Sequence, residues 1–349
     1  MQVLPTDKRY PALDGLRALA LSLVLILHST YGQFAGGFVG VDVFFVLSGF
    51  LITSSLRAEY QRSGRVSLRS FWLRRARRLL PAFGVMIGLA GLMWRHYVPS
   101  APPFGRAAGT ALLYVANIQA VVDASKLGPL AHTWSLSTEE QFYLFWPLVA
   151  TAVLKFGRPW PMLFTALIAA IARAVLFHFG SPAANYFSPL CRVDQLLIGC
   201  SLAVTIDRLP TSASSPPLRL ASLVFLASLF VLGLRTDNTW APYYYGVMSA
   251  VAIGAACLIA ALRDDAWWLS RIFASPPFRW IGQRSYGLYL FHFPIFVFLE
   301  QFRVPHSPMN FALVTAARVG FTLLVAAFSW SFLERPLMKA QRAHGQQTI

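Results

Sequence analysis

Residues 14–29, DGLRALALSLVLILHS, form an apolar run that carries two ionisable side chains, Arg17 and His28. Ionisable groups are costly in a bilayer, and those retained there mark functional sites. Eleven residues at about 100° each make about three helical turns, so the two side chains share one face, roughly 16 Å apart along the axis. Asp14 precedes Arg17 by three residues and is placed to neutralise it. An imidazole in a semi-polar cavity suits proton removal from a hydroxyl, because its unperturbed pKa lies near neutrality. The structural alternative is an arginine snorkelling at the membrane edge and a histidine satisfied in the interior.

A second constellation is FWLRRARRLLP, residues 71–81, with Arg74, Arg75, Arg77 and Arg78 immediately before an apolar helix. Arg74, Arg77 and Arg78 share a face by i, i+3 and i+4 spacing. Guanidinium forks recognise phosphates, and the cytosol offers polyphosphate cofactors such as coenzyme A. A topology anchor or a contact with acidic lipid is the plainer account. A third is HTWSLSTEEQFYLFWP, residues 132–147. Here Ser135, Ser137 or Thr138 can cap a helix whose first turn holds Glu139 and Glu140. Glu139 and Tyr143, four apart, share a face. The capping box explains Ser137 with Glu140, but it leaves Trp134, Glu139, Gln141 and Tyr143 without a role.

Two further clusters are weaker. CRVDQLLIGC puts Arg192 and Asp194 at a membrane edge, where a local ion pair is the expected account. SYGLYLFHFP sets Ser285, Tyr289 and His292 in one polar stripe, and Pro294 is able to kink that helix and open a backbone carbonyl. Ser48 in VLSGFLIT stands beside Gly49, which favours close helix packing over a nucleophile.

The elements that must position these residues are membrane helices. The chain is 56% hydrophobic and only 13% charged, with a mean hydropathy of +0.54, against about 25% charged residues in soluble domains. Eleven candidate spans follow from the hydropathy: 12–30, 37–56, 79–98, 107–122, 137–155, 160–179, 189–206, 219–235, 243–262, 284–301 and 311–333. The expected fold is all-α, a polytopic transmembrane bundle of about 10–11 helices forming one domain over residues 1–349. The first run does not read as a cleavable signal, since it holds Arg17 and His28 and passes into a second apolar segment.

Residues 57–78 carry eight arginines and one glutamate, which marks a cytoplasmic connection and puts the amino terminus in the cytoplasm of a cell with an inner membrane. Eleven spans would leave Arg335, Lys339 and Arg342 outside. Ten crossings put the tail, residues 334–349, in the cytoplasm, so one segment between 107 and 206 is expected not to span. The formal charge of +16 fits such loops and a polyanion site, and no nucleic-acid module is visible. Cys191, Cys200 and Cys257 show no metal-ligand spacing and read as packing residues. The chain shows no G-x-S-x-G elbow, H-E-x-x-H, P-loop or Rossmann fingerprint, so no metal or nicotinamide site is expected.

Taken in order, the pieces resemble acyltransferase family 3, the integral membrane O-acyltransferases. These are Arg17 with His28, GVDVFFVLSGFLIT, FWLRRARRLLP, HTWSLSTEEQFYLFWP, CRVDQLLIG, GQRSYGLYLFHFP and FLERPL, spread from about residue 10 to 338. The resemblance implies transfer of an acyl group, usually acetyl from acetyl-CoA, to a hydroxyl on a sugar, a cell-envelope glycan or a glycosylated secondary metabolite. It implies essential roles for His28 and Arg17, an acyl-CoA site at the arginine cluster, and a contribution from the WSLS-x-E segment. Some relatives add an extracytoplasmic SGNH hydrolase-like domain. The given sequence shows none, so hand-off to such a domain is expected to need a separate protein.

In residue chemistry, His28 serves as general base and Glu139 orients the imidazole. Arg17, or a buried hydroxyl such as that of Tyr143, stabilises the thioester oxyanion. Ser48, Trp134, Ser135, Arg192, Tyr289 and His292 complete the candidate set with Asp14. A proton-coupled transporter or flippase of a glycan or polyanion would use similar buried ionisable groups, but such carriers usually show an internal repeat, and none is visible here.

Overall fold

The computed structural model describes residues 10–30, 33–97, 103–180, 182–209, 216–304 and 307–338. Of the expected cytoplasmic tail, residues 339–349 lie outside the described set. Among the described residues the chain is all-helical and polytopic, with fifteen α-helices and no strand. In chain order these are α1 (Pro11–Ser29), α2 (Val39–Ser63), α3 (Leu68–Tyr97), α4 (Phe104–Leu112), α5 (Ala116–Asp123), α6 (Thr133–Phe156), α7 (Trp160–Phe179) and α8 (Pro182–Phe187). There follow α9 (Val193–Thr205), α10 (Pro216–Arg235), α11 (Met248–Ala261), α12 (Trp268–Phe273), α13 (Pro276–Gln283), α14 (Ser285–Glu300) and α15 (Pro308–Ser329).

Among the described residues, seven segments are long and apolar enough to cross a bilayer: Pro11–Ser29, Ala35–Ser63, Leu68–Trp94, Trp160–Phe179, Pro216–Arg235, Tyr243–Ala261 and Pro308–Met338. The other four expected spans differ for identifiable reasons. Residues 107–122 break into α4 and α5 at Tyr114, whose φ of 53° no helix accommodates. Residues 189–206 give a short 3-10 turn and the 13-residue α9. The apolar α14 has 16 residues. α6 has 24, but its first half holds Ser135, Ser137, Thr138, Glu139, Glu140 and Gln141.

Residues 57–78, expected as a connection, are helical except at 64–67. α2 stops because Gly64 adopts a left-handed φ of 69° and its N–H closes on the Tyr60 carbonyl at 2.8 Å. The arginines of residues 74–78 therefore stand on the first turns of α3, not on a loop.

The chain forms two compact units. In the first (residues 1–27, 31–66 and 145–283), α2 and α9 meet backbone to backbone. A Cβ on Gly49 would lie 2.0 Å from the Leu196 carbonyl oxygen, and one on Gly199 would lie 2.1 Å from that of Val46. This small-residue crossing supports the packing reading of the segment around Ser48.

Beside the crossing lie buried ions. Arg192 bonds Asp42 at 2.8 Å and the Tyr243 hydroxyl at 3.0 Å, and Tyr243 donates to Asp42 at 2.6 Å. Arg173 pairs with Asp194 at 2.8 Å, and Ser249 donates to Asp194 at 2.7 Å. The local Arg192–Asp194 pair expected from sequence is thus replaced by two pairs between elements. Residues two apart on a helix do not face each other, so each finds its counter-ion elsewhere. The three cysteines are free, Cys191 and Cys200 buried and Cys257 partly so.

The second unit (residues 28–30, 67–144 and 284–349) gathers the end of α1, α3, α4, α5, the first half of α6, α14 and α15. Prolines inside two helices help to shape it. Pro147 has no N–H to offer the Tyr143 carbonyl, which accepts instead from the Trp72 indole at 3.1 Å. Pro294 leaves the Leu290 carbonyl in the same position, and His132 Nε2 takes it at 3.0 Å. The broken α4–α5 backbone is satisfied by α6. The Ala116 N–H donates to Ser137 at 3.2 Å, and Gln141 donates to the Tyr114 carbonyl at 2.8 Å. Ser137 therefore caps α5 and not its own helix, which begins four residues earlier at Thr133. The expected box with Glu140 is not the arrangement found.

Candidate active site

The site residues that meet in the second unit do so around histidines. α1 ends in His28, α14 contributes His292, and His132 stands just before α6. His28 Nδ1 is 3.3 Å from His292 Nε2, with ring centroids 5.1 Å apart. His132 packs edge-on to His292, with centroids 5.5 Å apart. Phe293 lies against both the His28 and His132 rings. His292 and His132 are buried, whereas His28 retains partial exposure. A half-exposed imidazole backed by two buried ones is able to take a proton from a group that approaches its open edge.

Hydroxyls border this cluster. The Tyr289 and Ser135 hydroxyls lie 3.1 Å and 3.2 Å from the His132 carbonyl oxygen, and one of the two donates to it. The Ser135 and Tyr289 hydroxyls also share a short hydrogen bond. Trp134, on the first turn of α6, is buried. Glu139 is half-buried on the next turn, within electrostatic reach of Tyr289 and Glu140. An imidazole, that of His292, lies at hydrogen-bonding distance from His28.

The arginines divide differently from the expected face. Arg75 and Arg78, three apart, are half-buried, while Arg74 and Arg77 are exposed. The Arg75 guanidinium stacks 3.5 Å from the centroid of the buried Tyr143 ring and acts electrostatically on Glu140. Its Nε is buried without a hydrogen-bond partner. Arg78 and Arg284 act together on the buried Glu334, and Arg284 also lies over Trp330. A guanidinium held between an aromatic face and a carboxylate is pre-organised to bind an anion.

Other candidates fall in the first unit. Arg17 pairs with Asp14 at 3.3 Å, as their spacing suggested, and Gln283 donates to Asp14 at 3.5 Å. Arg192 sits in the Asp42 network already described. Sequence reasoning passed over His132, Glu140, Arg284 and Glu334 as individual site residues. All four lie inside quoted motifs. The proline four residues after Leu290 was the available signal that a side chain must come to that carbonyl. Among the described residues no group of three or more His, Cys, Asp or Glu side chains is arranged to hold a metal ion.

An all-helical membrane chain with histidines on an apolar helix and inward-facing arginines at a helix start belongs to a defined class. The family model for the acyltransferase domain matches residues 10–331, and the chain belongs to that family. Membership of an acyltransferase family favours an enzyme over a carrier. The peptidoglycan O-acetyltransferase OatA of Listeria monocytogenes is 34% identical over 95% of this chain and 56% of its own length. The provisionally named peptidoglycan O-acetyltransferase YrhL of Bacillus subtilis is 33% identical over 94% of this chain and 54% of its own. A provisionally named O-acetyltransferase of Staphylococcus aureus (strain COL) is 32% identical over 94% and 57% respectively. The chain thus spans about half the length of the curated relatives it matches. No solved structure matches it.

Proposed function

We propose that this membrane acyltransferase moves an acetyl group from acetyl-CoA to a hydroxyl of a cell-envelope glycan, with His28 as general base. Relatives that carry peptidoglycan O-acetyltransferase in their names support the glycan acceptor. The observation that carries the base assignment is the contact of His28 with His292 inside a buried histidine cluster. In the reaction the acceptor O–H gives its proton to His28. The oxygen bonds the acetyl carbon, the C–S bond breaks, and the thiolate recovers the proton as coenzyme A thiol. A positioned base contributes about 10²–10⁴ in rate.

The arginine face of α3 supplies the donor site in this reading. Arg75 and Arg78 point inward and hold the phosphates, while Arg74 and Arg77 line the approach. Because coenzyme A is cytosolic, that end of α3 and the amino terminus face the cytoplasm of the cell membrane. Glu139 adds negative charge beside Tyr289 and favours the imidazolium that forms.

Purified protein in lipid nanodiscs, given acetyl-CoA labelled in its acetyl group and glycan fragments, tests the reading. His28→Ala is expected to abolish transfer while insertion and monodispersity are kept. Full transfer by that variant would remove His28 from the chemistry.

A further inference from the structure

His292 is fully buried on α14, and its Nδ1 lies 2.6 Å from the carbonyl oxygen of Tyr289. A carbonyl only accepts hydrogen bonds, so Nδ1 carries the ring proton. The ring is packed against Phe293, Phe296 and His132, and such burial favours the neutral form. Its Nε2 then presents a lone pair. That nitrogen is 3.3 Å from His28 Nδ1. Two lone pairs do not make a hydrogen bond, so His28 Nδ1 must carry a proton and, in the neutral ring, Nε2 carries the lone pair.

We infer that His292 is a positioning residue that locks His28 in its Nδ1–H tautomer and so makes Nε2 the nitrogen that receives the acceptor proton. The inference rests on the general-base reading of His28. A chain of two hydrogen bonds, Tyr289 carbonyl to His292 to His28, fixes the tautomer from the backbone outward. When His28 Nε2 takes the alcohol proton, the ring becomes an imidazolium and its Nδ1–H becomes a charged donor to His292. That hydrogen bond strengthens as the transition state is approached, which is where added binding raises rate. When the leaving thiolate takes the proton back from Nε2, both rings return to their starting tautomers. His132 is locked in the opposite sense. Its Nε2–H is held by the Leu290 carbonyl, and its buried Nδ1 makes no hydrogen bond. The two buried rings therefore occupy different tautomers, each set by one of two successive carbonyls of α14.

Two amide variants separate positioning from mere packing. His292→Gln brings an acceptor oxygen to the place of Nε2, whereas His292→Asn keeps the contact with the Tyr289 carbonyl but is too short to reach His28. Turnover of labelled acetyl-CoA is measured per folded molecule in nanodiscs, with His28→Ala alongside. His292→Asn is expected to lose on the order of 10²–10⁴ in kcat, with KM for acetyl-CoA unchanged. His292→Gln is expected to stay within about tenfold of the parent kcat, the acceptor being restored in place. If His292→Asn turns over at the parent rate, or His292→Gln is as slow as His292→Asn, the assignment of His292 is overturned while an inactive His28→Ala preserves the base reading. If His28→Ala itself is active, the base reading falls and takes this inference with it.

Discussion

The Arg75 guanidinium lies 3.5 Å from the centroid of the Tyr143 ring, a contact between the first turns of α3 and the middle of α6. Arg75 is half-buried, and its neighbour Arg74 is exposed. The two are therefore expected to respond differently. Arg75→Gln removes a charged fork worth about 1.5–3 kcal/mol as a hydrogen-bonding partner, and should raise KM for acetyl-CoA by about tenfold or more. Arg74→Gln should change KM by less than about threefold and mainly at low salt, where exposed charges are least screened. Steady-state kinetics at two ionic strengths check both. Equal effects at the two positions would return the cluster to the role of a topology anchor.

Asp42 neutralises Arg192 inside the first unit. Asp42→Ala strands a buried guanidinium, and removing one partner of such a pair costs about 3–5 kcal/mol. A large fall in unfolding temperature in detergent is expected, together with poor accumulation. A variant as stable as the parent would mean that water or lipid headgroups reach this network.

Pro294→Ala should separate stability from activity. Alanine restores the missing N–H and favours an interior helix by about 3 kcal/mol over proline. The Leu290 carbonyl then turns to residue 294 and releases His132. The unfolding temperature is expected to hold or rise while kcat falls, and both are readable on one preparation. A parent-like kcat would show that His132 needs no such anchor.

Glycines with and without neighbours give opposite predictions. Gly199→Leu drives a side chain into the α2 backbone at Val46 and Phe50 and should abolish the folded species. Gly84→Ala, on α3, meets nothing within 4 Å and should stabilise by about 0.5–1 kcal/mol through reduced chain entropy. Size-exclusion profiles and melting curves distinguish them.

Helical class and the family motifs were legible because both are local. Hydropathy marks apolar helices, and the Asp14–Arg17 pair follows from spacing within one turn. What escaped depends on partners distant in sequence. Arg192 and Asp194 look like neighbours on a string, but their counter-ions are 150 residues before one and 21 before the other, at Asp42 and Arg173. Ser137 has the composition of a cap for its own helix, yet caps α5, because α6 starts earlier than its first apolar residue suggests. The break at Tyr114 carries no glycine or proline, and the residues that make it affordable, Gln141 and Ser137, lie on another helix. Even so, Asp42 in the middle of GVDVFFVLSGFLIT was a visible signal that a cation would be found beside it.

The two ion pairs described beside the α2–α9 crossing, Asp42 with Arg192 and Asp194 with Arg173, sum to zero. A single charge crossing the whole membrane exchanges about 2.3 kcal/mol with each 100 mV of potential, but a neutral quartet exchanges none, wherever it moves as a body. That quartet therefore offers the cell's electrical gradient no net charge to pull on.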